Sequence, residues 1–142
     1  MISIRHSGIV TGNLKKSLEF WKDILKFQIK KDLIESGKNL SEIFGIKNLK
    51  VRTIKLADKN GNLIELLYFL NAPKKKTTPF FPYSTGLTHI SLTVENVKKT
   101  YNSLKKLKYH YKSKPLLSSD GKVLMTYCKT PENCFLEIVE EL

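Results

Sequence analysis

The chain repeats itself, and that repetition limits its architecture more than any other feature. His6-Ser-Gly-Ile-Val-Thr-Gly-Asn-Leu-Lys-Lys-Ser17 lies over His89-Ile-Ser-Leu-Thr-Val-Glu-Asn-Val-Lys-Lys-Thr100 at an offset of 83 residues. His, Asn and both lysines coincide, Lys22 falls on Lys105, and Leu14, Ser17 and Ile24 fall on Val97, Thr100 and Leu107. Further on, Asn62-Leu-Ile-Glu65-Leu-Leu matches Cys134-Phe-Leu-Glu137-Ile-Val at an offset of 72. The first copy therefore carries 11 additional residues, and Ser36 to Gly45 is the natural place for them. A repeat of this length is one supersecondary unit used twice.

Each copy reads in the same order. Ile2 to Thr11 is expected as a strand, with Gly12-Asn13 as turn and helix cap. Leu14, Leu18, Trp21 and Leu25 then recur at helical spacing. Strands follow over Phe27 to Glu35, Leu49 to Ala57 and Asn62 to Phe69, the last two joined by the turn Asp58-Lys-Asn-Gly61. The second copy runs as a strand from Leu87 to Val94, a helix from Val97 to about Leu107, and strands near Tyr109, over Lys122 to Lys129 and over Phe135 to Glu141. Its turns are Ser118-Ser-Asp-Gly121 and Pro131-Glu-Asn133. The pattern is βαβββ twice, an α+β fold whose sheet has one face on helices and the other on a cavity. The modules are expected over 1–70 and 86–142, with a proline- and lysine-bearing linker over 71–85, the whole making one structural domain.

Strand alternation then isolates four polar residues. Ile90, Leu92 and Val94 form an apolar set for the helix side, leaving Leu87, His89, Ser91 and Thr93 opposite; by the repeat, Ile4, His6, Gly8 and Val10 share that second face. Glu65 and Glu137 fall mid-strand among apolar neighbours. An unpaired buried carboxylate costs several kcal/mol, so two at equivalent positions call for a common form of compensation. His6 and His89, two of only three histidines, are equivalent as well. Taken singly, each of the four reads as a hydrogen-bonded or lysine-paired side chain. Taken as matched pairs, they read as ligands of one divalent metal at a pseudo-twofold axis. Two imidazole nitrogens and two carboxylate oxygens suit Zn, Ni, Co, Mn or Fe(II), and the lack of thiolates argues against a closed structural zinc site.

These stretches resemble the vicinal oxygen chelate superfamily, which includes glyoxalase I, methylmalonyl-CoA epimerase, extradiol dioxygenases, fosfomycin-resistance enzymes and bleomycin-binding proteins. The resemblance is carried by His6-Ser-Gly-Ile-Val, Asn13-Leu-x-x-Ser-Leu-x-Phe-Trp21, Asn60-Gly-Asn-Leu-Ile-Glu65-Leu, Gly86-Leu-Thr-His89-Ile-Ser-Leu-Thr-Val-Glu-Asn96 and Leu136-Glu137. It implies eight strands in an open, barrel-like cleft, ligands His6, Glu65, His89 and Glu137, a homodimer, and a small-molecule substrate with two vicinal oxygens. In the glyoxalase I and epimerase branch it further implies a lyase or isomerase. A proton is removed next to a carbonyl, the enediolate is chelated by the metal, and Glu137 or Glu65 acts as base. Where bacterial glyoxalase I has an asparagine that helps to hold glutathione, four residues after the first Glu, this chain has Phe69. Methylmalonyl-CoA epimerases usually carry Gln at the position of Glu65.

Other readings of the same fold use fewer ligands. An Fe(II) extradiol dioxygenase or a fosfomycin-type transferase needs three, leaving Glu65 unexplained, and a metal-free drug-binding protein needs none. The charge of +12 raises nucleic-acid binding as well. However, the excess is almost all lysine, spread over the chain, with only Arg5 and Arg52 able to offer a guanidinium fork. A solvated surface without a nucleic-acid partner is expected. Arg52 is kept as a contact for an anionic group, and Tyr127 and Met125 as cleft residues. Trp21 and Phe20 read as core, Cys128 and Cys134 as buried inert thiols, and His110 receives no role. The longest apolar run, Leu63 to Leu70, is too short to span a bilayer and contains Glu65. With no export signal at the start and two cysteines in all, a cytoplasmic protein is expected.

Overall fold

The computed structural model describes residues 1–73 and 81–142. The chain divides into two compact units, Met1–Thr77 and Thr78–Leu142. Residues 74–80 of the linker expected over 71–85, including Lys74-Lys75-Lys76, lie outside the described residues.

The first unit contains β1 (Ser7–Val10), α1 (Leu14–Leu18) continued by a π-helical segment (Glu19–Ile24), β2 (Gln28–Ser36), α2 (Lys38–Phe44), β3 (Lys50–Ala57) and β4 (Leu63–Phe69). Its four strands are ordered β1-β4-β3-β2. The second unit contains β5 (His89–Thr93), α3 (Val97–Lys106), β6 (Leu116–Leu117), β7 (Val123–Lys129) and β8 (Phe135–Glu141), ordered β5-β8-β7-β6. In both sheets the first strand pairs parallel with the last, and the other pairings are antiparallel. Both offsets read from the sequence reappear as hydrogen-bond register: Gly8 stands opposite Glu65, and Ser91 opposite Glu137.

The helix caps repeat as well. Asn13 Oδ1 accepts from the Lys16 amide at 3.1 Å, and Asn96 Oδ1 from the Lys99 amide at 2.7 Å, each filling one amide orphaned at a helix start. Beyond Leu18 the first helix widens, with the Leu25 amide donating to the Phe20 carbonyl at 2.9 Å, five residues back. This wider turn changes the buried stripe. Spacing alone gives Leu14, Leu18, Trp21 and Leu25, whereas the residues fully covered are Ser17, Phe20 and Trp21. Trp21 meets Phe20 and Phe27 edge to face, with centroids 5.2 and 5.6 Å away. Ile54, Leu56, Ile64 and Leu66 complete the core of this unit. In the second unit α3 packs on β7 and β8, burying Val97, Leu104, Leu136 and Ile138.

Three expected elements are corrected. A first strand from Ile2 would need partners around residues 59–62, but these form the turn before β4, so β1 starts at Ser7 and Met1, Ile2 and Ile4 are exposed. For the same reason β5 starts at His89 rather than Leu87. The strand expected near Tyr109 reduces to one bridge between Tyr111 and Cys128, and the edge of that sheet is instead the two-residue β6. The 11 additional residues of the first copy hold α2, ended by Gly45 in the left-handed conformation.

The turns before β4 and β8 are equivalent and need a left-handed residue at the same point. Gly61 fills it in one (φ 85°) and Asn133 in the other (φ 67°). Asn tolerates this region better than other residues carrying a Cβ. Asn133→Ala should therefore lower unfolding stability by about 1 kcal/mol, while Asn133→Gly should not lower it; urea titration of both variants decides. Cys128 is buried and its thiol is pushed up to about 12, chiefly by burial; burial also raises that of Cys134. The thiolate is the reactive form. Both thiols should therefore resist an aromatic disulfide reagent at pH 8 until denaturant unfolds the chain.

Candidate metal centre

Parallel pairing of the first and last strands places one histidine and one glutamate of each unit on the same face. In the first unit His6 immediately precedes β1, and its Nε2 lies 3.0 Å from Glu65 Oε2. In the second, His89 opens β5, with Nε2 3.7 Å from Glu137 Oε2. The two glutamates are largely covered, with side-chain exposures of 14% and 17%. The opposite faces of β4 and β8 carry Ile64 and Leu66, and Leu136 and Ile138, all buried. The alternation read from the sequence therefore holds in both units.

The other oxygen of each glutamate faces the antiparallel neighbour, and there the two copies differ. Lys55 stands directly opposite Glu65, with Nζ 3.5 Å from Oε1. Tyr127 stands directly opposite Glu137, and its hydroxyl donates to Oε1 at 2.9 Å. Burial and the neighbouring Glu137 push the Tyr127 hydroxyl up to about 12, so it keeps its proton near neutral pH and remains a donor. The Tyr127 ring also meets His89 edge to face at 5.3 Å. His89 Nδ1 lies 2.9 Å from Thr88 Oγ1. A proton on Nδ1 directed at that hydroxyl leaves the Nε2 lone pair facing Glu137, the tautomer a metal needs. Among the described residues His6 Nδ1 is buried without a hydrogen-bond partner, and the ring is engaged through Nε2.

The spacing of the first pair fits a shared ion. Two donors each about 2.1 Å from a metal and at right angles to each other stand about 3 Å apart, and the His6–Glu65 separation is 3.0 Å. The second pair, at 3.7 Å, has to close by several tenths of an ångström. Among the described residues no three His, Cys, Asp or Glu side chains gather around one point. The donors come as two pairs, one per unit. Imidazole nitrogen with carboxylate oxygen is a donor set for Zn, Ni, Co, Mn or Fe(II).

Of the remaining residues singled out in the sequence, Arg52 is removed from this face. Its guanidinium makes a two-pronged contact with Asp32 at 2.8 and 2.7 Å, opposite Tyr68 on the other side of the sheet. The Asp32 carboxyl is thereby held below its usual range. Tyr127 belongs to the site through Glu137, and Met125, opposite Val139, shares its face. Lys55 was not singled out by sequence, although the 72-residue offset that equates Glu65 with Glu137 also equates Lys55 with Tyr127. A concavity of about 550 Å³ beside α2, lined by Ser36, Ser41, Ile46 and Leu49, contains none of the four candidate ligands. Among the described residues no helix is long and apolar enough to cross a membrane.

The fold has close counterparts among solved structures. A glyoxalase family protein from Bacillus cereus superposes with a TM-score of 0.89 at 17% identity, covering 100% of this chain and 95% of that one. A glyoxalase family protein from Enterococcus faecalis gives 0.70 at 17% identity, covering 97% of each chain. The trypanothione-dependent glyoxalase I of Leishmania major gives 0.66 at 16% identity, covering 99% of this chain and 88% of that one. No curated protein matches in sequence. The profile of one family matches residues 3–137, nearly the whole chain. Repeat, sheet order and profile agree, and the chain belongs to the Glyoxalase/Bleomycin resistance protein/Dioxygenase superfamily.

Proposed function

We propose that the protein is a metal-dependent lyase or isomerase of the glyoxalase type, which removes a proton next to a carbonyl in a small substrate bearing two vicinal oxygens. The observation that carries this reading is the pair of equivalent histidine–glutamate contacts, one per unit, at matching register positions. On this reading His6, Glu65, His89 and Glu137 together hold one divalent ion, Zn, Ni, Co, Mn or Fe(II). The protein works as a homodimer, with the two pairs drawn from one chain or from two. A bound divalent ion would act as a Lewis acid towards the negative oxygens that form as the proton leaves.

The remaining work falls to side chains, and the two glutamates are unequally placed for it. Both oxygens of Glu65 are engaged by basic side chains, His6 and Lys55, which suits a fixed ligand. Glu137 is engaged by a neutral hydroxyl and by a more distant imidazole. It is therefore the freer carboxylate, and we assign it the base. Tyr127 steers it by holding Oε1, and Oε2, released from its ligand role or acting through bound water, would accept the substrate proton. Positioned general bases contribute about 10²–10⁴-fold to such steps.

A rival without metal, a drug-binding protein of the same superfamily, makes no use of the four ligands and predicts none of the following. Purified protein titrated with Co(II) should take up one equivalent per chain. His6→Ala and His89→Ala should each weaken that uptake at least tenfold while leaving the circular dichroism spectrum unchanged; uptake unaffected by both would dismiss the quartet. Metal-loaded protein incubated in deuterated water with 2-hydroxy carbonyl compounds should exchange the hydrogen next to the carbonyl. Glu137→Gln should reduce that exchange by about 10²-fold or more while the protein still folds, and undiminished exchange would remove Glu137 from the mechanism.

A further inference from the structure

The duplication is broken at one position beside the proposed ligands. Across from the glutamate, the second unit has a neutral phenol and the first an amine, Lys55. The Lys55 side chain is only 23% exposed. Its strand neighbours Ile54 and Leu56 are fully buried on the opposite face, so the side chain is fixed on the Glu65 face. Its one polar side-chain contact among the described residues is the 3.5 Å approach to Glu65 Oε1, longer than a hydrogen bond. An ammonium has three donors, so most of this one's hydrogen-bonding capacity is unused by the protein.

Charge decides what that capacity is for. Two ionised carboxylates offset a divalent ion and leave the centre neutral. Lys55 adds one positive charge, and it does so from a half-covered position where screening by water is weak. Loading the ion would weaken the Lys55–Glu65 contact, since the charge of Glu65 would then be shared with the metal, and would leave the ammonium charge less fully offset. A ligand bringing one negative charge would offset it. Deepening the proposed function and resting on it, we propose that Lys55 is a specificity-determining residue that matches the centre to substrates whose chelating end is a monoanion, a carboxylate adjoining a hydroxyl or carbonyl. Tyr127, neutral at the equivalent position of the second unit, makes no such demand.

Thermodynamic linkage gives the test, because ion and anion must then strengthen each other's binding equally. The probes are glycolate, a monoanion with two adjacent oxygens, and hydroxyacetone, its uncharged counterpart, each titrated into Co(II)-loaded protein by visible absorption. Wild-type protein should prefer glycolate by about 10- to 100-fold beyond the preference of Co(II) in buffer, the range of a charge-assisted contact. Lys55→Met should remove that excess and bind Co(II) alone at least as tightly as wild type, and Lys55→Arg should restore the preference. Lys55→Gln stands in should the methionine variant misfold. A glycolate preference surviving in Lys55→Met or Lys55→Gln would overturn the proposal while leaving the metal centre intact. Failure of wild-type protein to take up Co(II) would overturn the metal reading itself, and this proposal with it.

Discussion

Parallel pairing of the first strand with the last, in each unit, is the constraint on which everything else depends. Antiparallel neighbours can be joined by a short turn, whereas a parallel pair requires a long excursion before the chain returns. Here that excursion is a helix and two further strands, and its result is that residues 59 apart, His6 and Glu65, come within 3.0 Å. The second unit brings His89 and Glu137, 48 apart, within 3.7 Å by the same route. The difference in separation along the chain is the 11-residue segment holding α2, and the sheet register does not feel it.

Much of this was legible because repeats convert weak signals into strong ones. A histidine in a strand says little, and a glutamate in a strand says little more. Two of each at offsets of 83 and 72 can be checked against each other, and the register of β1 on β4 and of β5 on β8 carries those same offsets. The capping asparagines were readable for the same reason. What stayed illegible was local geometry without a sequence marker. The widened helix after Leu18 shifts the buried stripe, yet Glu19–Ile24 contains no proline or glycine to announce it. Strand starts were overestimated because apolar residues continue past the point where a partner strand ends, as at Ile2 and Ile4. Arg52 looked like an anion contact because a lone arginine in a lysine-rich chain draws notice, and only the fold reveals that Asp32 occupies it.

The surroundings of the two glutamates carry more information than the glutamates themselves. The histidine–glutamate contacts are of the same kind in both units and do not distinguish one unit from the other. Lys55 and Tyr127 occupy the same register position and differ in charge, and there the two units part. The distinction is invisible to any comparison restricted to the ligands, and fold-level likeness at 14–17% identity does not reach it.

The placement of α2 bears on how such a chain can change length. The helix sits between β2 and β3, antiparallel neighbours that meet at that end, and its Phe44 rests on Phe69 at 5.5 Å, on the same strand face as Glu65. Residues added between those two strands extend a hairpin tip and leave every ladder downstream in step. A residue added within β4 ahead of Glu65 would instead slide it past His6 and turn it to the wrong face. Growth is thus tolerated at one junction and forbidden a few residues away, so a duplicated fold of this kind can diversify what it admits at one end without disturbing what it grips at the other.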